Sequence, residues 1–226
     1  MEQRGATAAF FRVEGTLVAR GAVSLAAYCA ANQARLGDRI MRLGQLAMTA
    51  PVYALLGQSD RVLANRLAYL PLRGMSEDRI AVLAEEYFEQ ILKERVLKGG
   101  LELIKNARAA GHRVVLISDA LEPVVAALTQ HLRHIDDFVC NRLELRDGSA
   151  TGKLLAPVVG GHDSDAYARD YARDRNLDLS RSVAYGAHGP DLLLLGAVGS
   201  RCAVNPDFTL RRAAQQSSWP VLDYDV

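Results

Sequence analysis

The stretch RVVLIS, residues 113–118, is the feature that most constrains the fold. It is rich in branched residues, shows no polar alternation and ends on a hydroxyl. A strand with one wet face alternates, whereas one without alternation is covered on both faces, as in a parallel sheet between helices. The same reading applies to AAFFRV at 8–13, to SVAYG at 182–186 and to RCAVNPD at 201–207. Between them lie amphipathic stretches: LELIKNARAAG, LEPVVAALTQHL, SDAYARDYARDRNL and PDLLLLGAVG. Strand and helix in alternation with short connections predict an α/β fold with a parallel sheet of about five strands. DDFVCNRLELRDGSATGKLL predicts a short strand followed by a hairpin.

The first strand stands apart from the others. Residues 18–98 read as helical throughout, in VSLAAYCAANQARL, DRIMRLGQLAM and SEDRIAVLAEEYFEQILKERVL. Ser76 is an expected N-cap with Glu77 and Asp78 in the first turn. Pro51, Pro71 and Gly74 are expected to punctuate the helices, and after Gly99-Gly100 the pattern changes to alternation of helix and strand. This places an all-helical insertion at 18–98 over a sheet domain made of 1–17 and 99–226. Sites in open parallel sheets form at the carboxyl ends of the strands. Here those ends are 12–15, Ser118-Asp119, 186–191 and 205–207.

The net charge of +1, with basic residues scattered, gives no footprint for nucleic acid. Cys29, Cys140 and Cys202 are far apart and have no zinc spacing, so they read as reduced thiols. No signal peptide is visible, and the chain is expected to be cytoplasmic. The uncharged stretch at 43–59 is short for a membrane span and contains Gln45, Pro51 and Gln58; it reads as core helix, with peripheral membrane contact through the insertion as the alternative.

The four strand ends resemble the motifs of the haloacid dehalogenase superfamily, in its phosphoserine phosphatase-like subclass with a helical cap. FFRVEGTL is similar to the first motif, Asp-x-Asp-Gly-Thr, and VVLISDA to the second, a strand ending in Ser or Thr. VAYGAHGPDLLLLGAVGSRCAVNPD resembles the fourth, Gly-Asp-x-x-x-Asp, and the tail LRRAAQQSSWPVLDY also resembles this subclass. The resemblance implies a Rossmann-like sheet (a HAD-like core). It also implies an aspartyl nucleophile, an acid–base Asp, a hydroxyl and a Lys on the phosphoryl oxygens, and Mg²⁺ held by acidic residues.

The chain departs from that pattern at several positions. Arg12 stands at the nucleophile, and a guanidinium has no lone pair to donate. Glu14 stands at the acid–base position, Ser118 keeps the hydroxyl, Ala187 replaces one fourth-motif acid and Asp191 keeps the other. The third-motif region reads GGHDSDAY without a cation, and Lys153 falls about ten residues too early on the family spacing. Mg²⁺ wants hard oxygen ligands, and a +1/+2 pair 4 Å apart at an effective dielectric of ~20 repels by roughly 8 kcal/mol. Arg12 is therefore expected to take the metal's place against Glu14 or Asp191, leaving no metal site and no cofactor.

Two roles stay open for Arg12: an internal plug, or an anion contact together with Gly15, Thr16, Ser118, Asp119, Asp163, Ser164 and His188. Ser118 reads as a helix N-cap or as a ligand contact. His188 reads as a solvent-facing loop residue. Asp163, Ser164 and Asp165 read as the cap and first turn of a helix. His131 and His134, beside Asp136-Asp137, read as exposed helix-end residues. The expectation is a catalytically inactive pseudoenzyme that binds a protein partner or an anionic, phosphorylated small molecule. The alternative is a divergent phosphate-ester hydrolase working through substituted residues such as Glu14 and His188.

Overall fold

The computed structural model describes residues 6–19, 24–56, 60–160 and 164–224, with side chains left aside for 52–56. Six parallel strands form the main sheet, in the order β3-β2-β1-β6-β7-β8. They are β1 (Ala8–Arg12), β2 (Arg113–Leu121), β3 (Asp137–Asn141), β6 (Val183–Gly186), β7 (Ser200–Val204) and β8 (Val221–Leu222). An antiparallel ribbon, β4 (Leu143–Arg146) with β5 (Ser149–Leu154), follows β3 as the hairpin pattern requires.

β1 is buried at every residue, and β2 is buried from Val114 to Ser118. The missing alternation thus corresponds to helices on both faces. One face packs Phe11, Val114, Leu116 and Val204 toward the helical insertion, α5 (Lys98–Ala109) and α6 (Glu122–Leu132). The other packs Phe10, Val115, Ile117 and Ala203 against α7 (Ser164–Asp174), α8 (Leu192–Gly196) and α9 (Phe208–Gln216). Strand order runs β1-β2-β3 one way and β6-β7-β8 the other. The chain therefore reverses between β1 and β6, where open α/β sheets leave a crevice.

The insertion contains α1 (Leu25–Ala31), α2 (Leu36–Leu56), α3 (Arg61–Ala68) and α4 (Glu77–Tyr87). Ser76 caps α4 by accepting from the Arg79 amide, as expected. VSLAAYCAANQARL is not one helix: α1 ends at Asn32 and α2 begins at Leu36. Pro51 does not interrupt α2. A proline removes one hydrogen bond, and here the Ala47 carbonyl that loses its partner lies on an exposed turn. Gly99 and Gly100 belong to the first turn of α5 rather than to the boundary before it. A Cβ at Gly100 would lie 2.6 Å from the Thr16 carbonyl oxygen, so the pair permits close packing of helix on turn.

Among the described residues no helix is long and apolar enough to cross a membrane; residues 57–59 of the 43–59 stretch fall outside them. All three cysteines are free, and burial pushes the Cys29 and Cys202 thiols up to about 12 and about 11.

Candidate active site

The crevice at the carboxyl ends of β1, β2 and β6 gathers most of the sequence-marked residues. β1 delivers Arg12 and then turns at Gly15, whose φ of +87° is open to glycine and strained for other residues. The turn is closed by Gly15 N donating to the Val18 carbonyl and by Thr16 Oγ1 donating to the Arg12 carbonyl. Asn205, after β7, donates to the Gly15 carbonyl and ties the turn to the neighbouring strand end. After β6, Asp191 Oδ2 accepts from the amides of Ala187 and His188, both at 2.9 Å, and Gly189 donates to Asp207.

Arg12 is fully buried and lies among three carboxylates. Its NH2 is 2.7 Å from Asp119 Oδ1 and 3.3 Å from Glu14 Oε2, and its Nε is 3.1 Å from Asp191 Oδ1. Burial alone would lower the guanidinium pKa, but Asp119, Asp191 and Glu14 outweigh it and hold it above its ordinary value. Burial would likewise raise the Asp191 carboxyl; Arg12, with His188 and Arg61, pulls it well below the usual carboxylate range. Both groups are charged at neutral pH, so the cluster is a buried ion network whose members depend on one another.

Glu14 is partly open to the crevice. Its Oε1 accepts from Ser118 Oγ at 2.6 Å and from the Asp119 amide at 3.0 Å, which fixes the carboxylate on the β2 end. Ser118 also accepts from the Ala120 amide within β2. It is therefore not the N-cap of α6; that position is Leu121. Arg61, at the start of α3, reaches down from the insertion to lie 3.5 Å from Asp119 Oδ2 and 3.7 Å from Asp191 Oδ1. Buried Asn141 donates to the Asp119 carbonyl and holds that strand end from the other side.

Above this cluster is a cavity of about 600 Å³ between the strand ends and the helical insertion. Glu14, Arg61, Ser118, Asp119 and His188 line it, whereas Arg12, Ala187 and Asp191 are not among its lining residues. The sequence-marked residues thus separate into two layers, Arg12 and Asp191 below and Glu14, Ser118, Asp119 and His188 at the surface. His188 borders the cavity with its side chain 18% exposed, which corrects the reading of a solvent-facing loop residue. Ser164 is buried at the start of α7 and does not line the cavity; Asp163 lies outside the described residues. Lys153 is exposed on β5, away from the cavity lining. His131 packs edge-on against Phe88. Arg61 and Asn141 were missed by sequence reasoning. The one available signal for Arg61 was its place just after the N-cap Asp60, and nothing local links it to residues 119 and 191.

The haloacid dehalogenase-like hydrolase family model matches residues 9–195. The chain belongs to this family. Its relatives include phosphoserine phosphatase SerB1 of Mycobacterium tuberculosis, 29% identical over 97% of this chain and 71% of the relative. The inhibition of morphological differentiation protein of Streptomyces azureus is 30% identical over 96% of this chain and 78% of its own length. Among solved structures, an apo-form phosphoserine phosphatase superposes with a TM-score of 0.70 at 18% identity, covering 96% of this chain and 93% of that one. That likeness carries the fold: a HAD-like α/β core with a helical cap.

Two expectations are corrected by these findings. The reading of the chain as no enzyme is overturned by relatives named as phosphatases, which point to an enzyme. It rested on the family nucleophile missing at position 12, the acid replaced by Ala187 and the absent third-motif lysine, and took the loss of that family route for the loss of all chemistry. The expectation of no cofactor is overturned as well, because the family to which the chain belongs generally uses Mg²⁺. The residues near the strand ends supply hard oxygen donors in Glu14, Asp119 and Asp191, the type that magnesium takes. In this arrangement all three face the Arg12 guanidinium, and among the described residues no group of three or more His, Cys, Asp or Glu side chains is placed to hold a metal ion. The arrangement as it stands does not fit the metal.

Proposed function

We propose that the chain is a divergent phosphate-ester hydrolase of the haloacid dehalogenase family, acting through substituted residues, with 1–17 and 99–226 as the catalytic core and 18–98 as the cap. One observation carries this reading: Glu14, Ser118, Arg61 and His188 meet at the floor of a single cavity in a fold whose relatives are named as phosphatases.

Arg12 cannot attack phosphorus, so the reaction is direct attack by water. Glu14 takes a proton from the water as its oxygen bonds to phosphorus. The ester P–O bond breaks, and protonated His188 gives its proton to the leaving oxygen. The products are inorganic phosphate and the free alcohol, and the proton count balances. Arg61 holds the phosphoryl oxygens at the cavity floor, and the Ser118 hydroxyl, donating to Glu14, holds the base in place. Arg61 lines the cavity with its side chain 14% exposed, while its buried Nη1 faces Asp119 and Asp191. Arg12 acts below as a positioning residue: it fixes Glu14 and Asp119 and balances their charge.

The test is phosphate release from a panel containing phosphoserine, an aryl phosphate and alkyl phosphates, run with Mg²⁺ and again with a chelator. The wild-type chain is expected to turn over at least one class, and the chelator arm reads the metal requirement directly. No release from any class in either arm overturns the proposal.

A further inference from the structure

The cavity is chemically lopsided. Its charged groups sit together at the strand ends, tied to one another by the contacts given above. The remainder is mostly apolar, walled by Leu25 of α1, Leu46 of α2, Leu92, and Val124, Val125 and Leu128 of α6, with the rings of Tyr69 and Tyr87; Asn65 and Tyr69 also border it, and they donate to the Val159 and Asp119 carbonyls. Among the described residues, the hydroxyls of Ser24 and Thr49 on the α1 and α2 side are used locally: Ser24 Oγ accepts from the Ala27 amide, and Thr49 Oγ1 donates to the Gln45 carbonyl. A ligand body as polar as a free amino acid would bring an ammonium and a carboxylate against a mostly aliphatic wall with few polar groups to pair them, a costly outcome in a low-dielectric pocket.

We infer that the substrate is a phosphate monoester of an apolar alcohol, an amphiphile whose phosphate meets Arg61 and whose hydrocarbon body lies along the α1, α2 and α6 wall. This inference rests on the hydrolase reading for the role of the phosphate end, whereas the apolar wall is independent of it. The volume of about 600 Å³ lies within the range of small-molecule sites, so a hydrocarbon body of several carbons is enclosed rather than grazed.

The test is calorimetric binding of ethyl, butyl, hexyl and octyl phosphate and of phosphoserine to the wild-type chain below micellar concentrations, with phosphate release measured separately. Each buried methylene raises affinity by up to about fourfold, so octyl phosphate is expected to bind at least roughly tenfold more tightly than ethyl phosphate or phosphoserine. Ala27→Phe and Ala68→Phe each place a ring in the cavity wall from a different helix. Either one, confirmed as folded by circular dichroism, is expected to abolish the chain-length dependence while leaving ethyl phosphate binding in place. A flat series in the wild type, or phosphoserine binding as tightly as octyl phosphate, overturns the inference. Chain-length-dependent binding without phosphate release supports the apolar subsite and overturns the hydrolase reading. Release from phosphoserine with a flat alkyl series does the reverse.

Discussion

The floor and the walls of the cavity are built on opposite rules. The floor is a set of ions: Arg12 lies 2.7 Å from Asp119 and 3.1 Å from Asp191, and Arg12 and Asp191 are fully buried. The walls are aliphatic side chains from helices that the chain supplies almost a hundred residues apart. An ion network loses much when one member is removed, because the others stay buried without a partner, whereas an aliphatic wall changes gradually with volume. The floor therefore sets what chemistry is available, and the walls set what fits.

Arg12→Ala attacks the floor most severely. It leaves Asp191 buried without its guanidinium, and one-sided loss of a buried pair costs about 3–5 kcal/mol. At about 2–4 °C per kcal/mol for a chain of this size, the thermal midpoint should fall by roughly 10 °C. An unchanged midpoint would mean that the network contributes nothing and that the floor behaves like a surface.

Arg61→Ala should act on binding rather than on folding. Hydrogen bonds to charged groups contribute about 1.5–3 kcal/mol, so KM for a phosphate ester should rise by roughly 10- to 100-fold with a smaller change in kcat. A change confined to kcat would move Arg61 from holding phosphate to the reacting atoms.

The pH dependence sharpens the same contrast. The folded-state pKa of Asp191 is depressed, so its stabilising contribution is present above the unfolded value of about 4 and is lost as pH falls through the lower folded value. Arg12, shifted upward, keeps its contribution throughout the neutral and acid range. The difference in thermal midpoint between the wild type and Asp191→Asn should accordingly be largest near neutrality and shrink between pH 4 and pH 2. A difference independent of pH would place the carboxyl outside the ion network.

The smallest effect belongs to an exposed pair. Arg108 lies 2.5 Å from Asp136 with 39% of its side chain exposed. Arg108→Ala should cost about 0–1 kcal/mol, despite a contact as short as any on the floor. A loss comparable to that of Arg12→Ala would show that distance, not burial, sets the strength of these pairs.

The fold was legible because burial on both faces leaves an unmistakable trace: AAFFR and VVLIS have no polar alternation, and the structure covers them on both sides. The strand-end residues were legible for the same reason, since topology alone brings positions 12, 118 and 191 to one crevice. Arg61 was not, because its link to Asp119 and Asp191 is made by the cap folding back over the sheet, and no local pattern encodes that. Pro51 reads as a helix break because proline is poor in a helix interior, and Gly99-Gly100 as the boundary before a helix at Leu101. The helix runs through Pro51 because the freed Ala47 carbonyl lies on an exposed turn, and α5 begins before Leu101 because Gly100 allows a close approach to Thr16. The inference from Arg12, Ala187 and the missing third-motif lysine to an inactive chain failed at another level: it showed which parts of the family route are missing, and absence of one route does not establish absence of hydrolysis.

The measurement that bears most directly on the account is phosphate release in ¹⁸O-labelled water by the wild type and by Glu14→Gln. General-base catalysis typically contributes about 10²–10⁴-fold, so the wild type should release phosphate carrying one labelled oxygen and Glu14→Gln should be slower by at least roughly 100-fold with an unchanged fold. Equal rates in the two proteins, or no labelled phosphate from the wild type, would contradict hydrolysis at this floor.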